Sequence, residues 1–203
     1  MVGNDIVDLR DPESQADSLH PRFDARVFSS PERDAIAAGE GAPRTRWKLW
    51  AAKESAYKLL RKQKPSTVFS PVRFQVSFDG AAAALVTHGQ DEVSVVYREN
   101  EGAVHAVARA EGVPAAAVLS GWRPLSRQER SGGDPEAPSR GVRALACERV
   151  SERLGVPPAA LEVRRAGRVP FLWQSGRRLP ADLSLSHHGD WLGFACVLRG
   201  AAL

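Results

Sequence analysis

Cysteine, methionine and tyrosine are scarce: two Cys, one Met and two Tyr in 203 residues. Two thiols, Cys147 and Cys196, cannot by themselves build a disulfide framework or fill a four-ligand zinc site, so a reducing, cytoplasmic setting is expected. No apolar run approaches the roughly 20 residues of a membrane helix. The opening Met-Val-Gly-Asn-Asp lacks a signal-peptide pattern, and no membrane role is expected. Lysine is also rare. There are five against 23 Arg, and all five (Lys48, Lys53, Lys58, Lys62 and Lys64) fall in one 17-residue stretch.

With 43% hydrophobic residues the chain is too apolar for disorder. Its length suits one large domain or two small ones fused. The net charge of +4 is unevenly spread: residues 1–120 carry −1 and residues 121–203 carry +5. The basic character thus belongs to the C-terminal part, where phosphates or an acidic partner would be drawn.

Gly3 to Leu9 reads as a short strand, with Asp5 and Val7 on one face and Ile6 and Asp8 on the other. Ser30-Pro31-Glu32 is a helix start, with Ser as N-cap, Pro at the first position and an acid at the positive end of the dipole. That helix is predicted to end by Gly39 or Gly41, and a longer one to span about Arg44 to Arg61. Alternating residues around Phe74–Phe78, an Asp79-Gly80 turn, and the segments Ala82–Thr87, Val93–Arg98 and Val104–Arg109 predict antiparallel strands. Ala115–Trp122 is a further strand candidate. Ser126 to Arg140 is polar and carries Gly and Pro, which predicts a linker or flexible loop. Val142–Leu154 follows as an amphipathic helix closed by Gly155, and Ala181–Ser186 and Trp191–Leu198 as strands. The fold class is therefore α+β, antiparallel strands packed on a few helices, divided into residues 1–120 and 121–203.

Three places carry candidate chemistry. Asp5 by itself reads as a strand-end aspartate in solvent. Glu54 and Lys58, four apart on the long helix, read either as an ion pair worth about 0.2–0.5 kcal/mol or as a metal-binding carboxylate beside a phosphate-binding ammonium. Ser184, Ser186 and His187 lie at the end of a strand. A Ser-His hydrolase is disfavoured there, because adjacent residues on one strand face apart and no nucleophile elbow is present. His187-His188 lacks the spacing for zinc.

Taken together, Gly3-Asn4-Asp5-Ile6-Val7, Trp50-Ala51-Ala52-Lys53-Glu54-Ser55-Ala56-Tyr57-Lys58 and Ser184-Leu185-Ser186-His187 resemble the three motifs of the 4′-phosphopantetheinyl transferases. Ser30-Pro31-Glu32 matches the pattern between the first two. The order, Asp motif first, is that of the small holo-acyl-carrier-protein synthases, but the chain has nearly twice their length. Arg123-Pro124-Leu125-Ser126 and the following helix look like the start of the larger, surfactin-synthetase-activating type. Gly167-Arg168-Val169-Pro170 looks like that type's Gly-Lys-Pro element with one residue inserted. The resemblance thus implies a two-halved transferase, a monomeric pseudo-dimer whose halves are swapped in sequence.

The implied activity is magnesium-dependent transfer (manganese being an alternative) of phosphopantetheine from coenzyme A to a serine of an acidic apo acyl or peptidyl carrier protein, with release of 3′,5′-ADP. In that reading Asp5 and Glu54 hold the metal, and Glu54 accepts the serine proton directly or through water. Lys58 neutralises the diphosphate. His187 and the Ser186 backbone contact a coenzyme A phosphate, Arg168 belongs to the adenine side, and Arg140 and Arg143 take the 3′-phosphate. Val7 stands where the larger type has an acid, so two protein carboxylates are expected at the metal. The alternative is a non-catalytic phosphate or nucleic-acid binder built on the Arg-rich C-terminal half. No nucleic-acid signature accompanies its charge, and nucleic acid is not the expected partner.

Overall fold

The computed structural model describes residues 1–38, 41–131 and 133–199. The chain begins with strand β1 (Val2–Asp8), passes two single 3₁₀ turns, and enters helices α1 (Phe23–Val27), α2 (Ser30–Ala38) and α3 (Ala42–Gln63). Strands β2 (Gln75–Asp79), β3 (Ala83–His88), β4 (Asp91–Glu99), β5 (Ala103–Arg109) and β6 (Val118–Pro124) follow. Then come α4 (Arg127–Ser131), α5 (Ala137–Leu154), β7 (Leu161–Ala166), β8 (Val169–Gln174), β9 (Arg177–Arg178), β10 (Ala181–His188) and β11 (Trp191–Leu198). The α+β class with antiparallel sheets is as the sequence predicts.

The first sheet has the order β1-β5-β4-β3-β2, with α3 across one face. The helix meets the sheet through small residues: Ala51, Ala52 and Ala56 are wholly buried beside Leu59. Gly3 of β1 lies beneath this stripe. A Cβ there would overlap the Ser55 carbonyl oxygen and stand 2.9 Å from the Leu59 amide nitrogen. The alanines and Gly3 therefore set a short helix–sheet distance, and that distance is what brings the Glu54–Lys58 face of α3 over Asp5.

The second sheet, β10-β11-β6, carries α5, whose Val142, Leu145, Ala146 and Val150 form a second core with Leu183, Leu192 and Phe194. α5 ends on Gly155 in the left-handed conformation (φ 65°), which releases the Val156 amide to bond Ser151 O. A third sheet, β7-β8-β9, packs against β10 through β8. The charged, Arg-rich segments of this sheet hid it from the sequence reading, since β7 and β9 bury little and show weak alternation.

Two edge strands join these layers. The even-numbered amides of β1 point away from β5 and would be unpaired at a free edge. Each instead donates to a side chain of β10: Val2 to Asp182 Oδ2 (2.5 Å), Asn4 to Ser184 Oγ (3.0 Å), Ile6 to Ser186 Oγ (3.3 Å) and Asp8 to His188 Nδ1 (3.1 Å). The constant offset means the strands run in the same direction and in register. With α3 on one side and β10 and β11 on the other, all seven residues of β1 are buried. Asp5, at 6% exposure, is thus not the solvent-facing strand-end aspartate that it would be by itself.

Three boundaries differ from expectation. The linker read over 126–140 is largely helical among the described residues, because Ser126 and Glu129 form a capping box and Arg123 grips Glu129 with two bonds. The division expected between 120 and 121 falls inside β6, which pairs with β11, so sheet membership changes before Val118. The shorter helix begins at Ser30, with the Ser29 amide bonded to Glu32 Oε2 at 2.7 Å, so Ser29 caps it. Gly39, one of its two expected end points, lies outside the described residues.

Candidate active site

The long helix and the two edge strands converge at the second and third turns from the C-terminal end of α3. There Lys58 Nζ lies 2.7 Å from Asp5 Oδ1, 3.1 Å from Asn4 O and 3.3 Å from Ser186 Oγ. Ser186 donates its own proton to Asp5 Oδ1 at 2.8 Å. Glu54, one turn before Lys58, is half-buried and accepts no hydrogen bond among the described residues. Its pKa is pushed up to about 7, first by burial and second by the Asp5 charge, with Lys58 pulling the other way. Two carboxylates thus press on one another, with one ammonium bonded to Asp5.

This cluster opens into a cleft of about 420 Å³ walled by Glu54, Lys58, Arg61, Phe69, Arg168 and Leu185. One wall belongs to α3 and the segment after it, the opposite one to β10 and the β7–β8 turn. Beyond Lys62 the space continues into a groove of about 740 Å³ bearing Arg178 and Arg199. Lys62 itself is tied to Asp182 by two 2.9 Å bonds, and burial holds its pKa below the usual lysine range.

Asp5, Glu54, Lys58 and Ser186 therefore meet, and Arg168 lines the same cleft. His187 is exposed and its side chain points away from Ser186, as strand alternation requires. Partial burial first, then the charges of Lys58 and Arg165, lower its pKa. Arg140 and Arg143 stand apart: they line a different groove of about 390 Å³ with Cys147 and Leu161, and Arg140 pairs with Asp134.

Lys53 does not join the site although it sits in the same sequence motif. It is fully buried on the other side of α3, 2.8 Å from both oxygens of Glu32, and also bonds Pro71 O and Phe74 O. The residues that sequence reasoning left without a role are Lys62 and Arg61 of the cleft and His188, which closes the β1 edge. Their signals were present. Lys62 lies four after Lys58, and the polar set Asp182, Ser184, Ser186, His188 alternates with period two.

Residues 1–116, more than half of the chain, match the family model of the 4′-phosphopantetheinyl transferase superfamily. The chain belongs to that superfamily. No curated protein matches it. The matched segment contains β1, α3 and the whole first sheet, hence Asp5, Glu54 and Lys58, while Ser186 and the Arg168 wall come from outside it. As a 4′-phosphopantetheinyl transferase family member the chain is a transferase, of a family that moves phosphopantetheine from coenzyme A to carrier proteins. No helix among the described residues is long and apolar enough to cross a membrane.

Proposed function

We propose that this protein is a magnesium-dependent holo-acyl-carrier-protein synthase: it transfers 4′-phosphopantetheine from coenzyme A to a serine hydroxyl of an acidic apo carrier protein. The observation that carries the reading is the Asp5–Glu54 pair, two carboxylates with a single ammonium, Lys58, at the head of the cleft. Two hard oxygen donors of like charge, one with its pKa raised to about 7, fit a divalent cation of the magnesium or manganese type. Asp5 and Glu54 would hold it, and when bound it supplies positive charge against the diphosphate oxygens.

The residues of the chain account for the rest. The carrier serine oxygen attacks the phosphorus next to the pantetheine, the bond to the 3′,5′-ADP oxygen breaks, and the serine proton passes to Glu54. Lys58, 30% exposed at the cleft wall, would offer its ammonium to the diphosphate and the departing oxygen, where charge develops. Arg61 on the α3 wall and Arg168 on the opposite wall line the cleft, available to phosphate oxygens of coenzyme A; His187 and the Ser186 backbone, at the end of β10, are further candidates for a coenzyme A phosphate. Arg140 and Arg143, in their separate groove, are the less favoured holders of the 3′-phosphate.

We also read the molecule as two halves in swapped order, the metal-bearing half first and the Ser-His half second, forming a monomeric pseudo-dimer. A long helix laid on an antiparallel sheet in each half supports this, as does the limit of the family match near the first sheet's end. Exchange of termini is tolerated where they lie at the surface.

Incubating purified protein with coenzyme A, Mg²⁺ and an apo carrier, then weighing the carrier, tests the activity. A mass gain of one phosphopantetheine, absent with chelator, is expected. No gain with any of several carriers would favour a phosphate or nucleic-acid binder.

A further inference from the structure

The Ser186 hydroxyl is saturated. It donates to Asp5 Oδ1 (2.8 Å) and accepts from the Ile6 amide (3.3 Å) and from Lys58 Nζ (3.3 Å), using its one proton and both lone pairs. At 8% exposure it faces β1 and not the cleft. It is also the only one of the four β10 side chains on the β1 edge that reaches a proposed metal carboxylate: Ser184 bonds Asn4 N, His188 bonds Asp8 N, and Asp182 bonds Val2 N and Lys62. Both groups that fix Asp5 use Oδ1, and no hydrogen bond reaches Oδ2 among the described residues.

We infer that Ser186 is a positioning residue of the metal site. Its hydroxyl, delivered from the second half, clamps Asp5 Oδ1 and leaves Oδ2 directed to the cation. Lys58 cannot hold that orientation alone, because its long, flexible chain is the group that must turn to the diphosphate in turnover. The Ser186 bond remains when Lys58 leaves, and its donor is fixed by the Ile6 amide at the other side of the oxygen. A hydrogen-bonded carboxylate ligand of this kind loses roughly 10- to 100-fold in metal affinity when its partner is removed.

This rests on the proposed metal role of Asp5 and Glu54, and the test separates the two. Mn²⁺ binding to substrate-free protein is measured by the loss of the free-ion EPR signal for wild type, Ser186→Ala, Ser186→Thr, Ser184→Ala and Glu54→Gln. Ser186→Ala is expected to weaken Mn²⁺ binding at least 10-fold, and Ser186→Thr, which keeps the hydroxyl, to restore most of it. Ser184→Ala removes an equivalent bond to the β1 edge. It should lower thermal stability but leave Mn²⁺ affinity within about twofold, so that loss of affinity in Ser186→Ala is separated from loosening of the β1 edge. If Glu54→Gln abolishes Mn²⁺ binding while Ser186→Ala leaves it unchanged, the positioning role is overturned and the metal site stands. If Glu54→Gln also leaves binding unchanged, the metal site itself is wrong. A rise in KM for coenzyme A with unaltered Mn²⁺ affinity in Ser186→Ala would assign the hydroxyl to substrate and overturn the inference.

Discussion

Gly3 lies so close under Ser55 that no side chain fits between β1 and α3. A Cβ at this position would overlap the Ser55 carbonyl oxygen and come within 3.0 Å of its carbon, and both atoms are backbone that cannot rotate aside. Gly3→Ala therefore has to push α3 away from β1. Overpacking of this sort costs about 1–3 kcal/mol, and a backbone clash belongs at the upper end. The same shift moves Glu54 and Lys58 off Asp5. Gly3→Ala should show a lower urea midpoint and a transfer rate down by more than 10-fold in the fraction that remains folded. A variant with wild-type midpoint and rate would refute the close-approach account.

Lys53 and Glu32 form a buried pair outside the site. The lysine side chain is 0% exposed and the glutamate 2%. Glu32 also accepts from the Ser29 and Val76 amides, so its four contacts tie α2, α3 and β2 together. Removing one partner leaves a buried charge alone, which costs about 3–5 kcal/mol. Lys53→Met should lose that much in urea unfolding. Lys53→Met with Glu32→Gln should recover a large part of it, because the amide oxygen still accepts while the charge is gone. Equal loss in both variants would mean that packing, not the orphaned charge, sets the cost.

The contrast between Lys53 and Glu54 shows where the sequence was legible. Adjacent helix residues point about 100° apart, so a motif that names both puts one in the core and the other in the cleft. Spacing did identify Glu54 with Lys58 on one face, and the turn residues and strand alternation located most of the first sheet. Asp5 became a site residue through resemblance, since its burial depends on β10, which is 180 residues away in sequence. The linker reading over 126–140 failed for a local reason, the Ser126–Glu129 capping box, and that pattern was visible in the chain. The third sheet was missed because its strands are short and charged, with burial only at Leu161 and Leu172.

Glu54 makes metal-free stability depend on pH. Its folded pKa is about 7 and its ordinary value 4.5, so between these the folded protein keeps a proton that the unfolded chain has lost. By linkage this group's contribution is full below pH 4.5, falls as pH rises towards about 7, and is flat above. Glu54→Gln removes the decline, and its chelated form at pH 8 should melt no lower than wild type. Its transfer activity should drop at least about 100-fold, the usual worth of a general base. Mg²⁺ should raise the wild-type melting temperature more at pH 8 than at pH 5.5, because binding requires the charged carboxylates. A wild-type Mg²⁺ shift that is equal at both pH values would remove Glu54 from the metal site.

The seam between halves predicts how the molecule tolerates being cut. Residues 133–136 connect α4 to α5 without regular structure of their own, so a break there sacrifices little backbone bonding. The first fragment would keep β1, α3 and β6, and the second α5, β10 and β11. Three kinds of contact then hold them together: the β6–β11 ladder from Val118 to Pro124, the side-chain bonds along the β1 edge, and the buried Lys62–Asp182 ion pair. Separated, the first fragment exposes the β1 amides and loses the Ser186 bond to Asp5, while the second has neither carboxylate. Each fragment alone should therefore be inactive, and mixing them should restore transfer together with a single co-eluting complex in gel filtration. Transfer by the first fragment alone would sink this arrangement. It would mean that the segment carrying the family match completes its own site by self-association, with the second half an accessory to it.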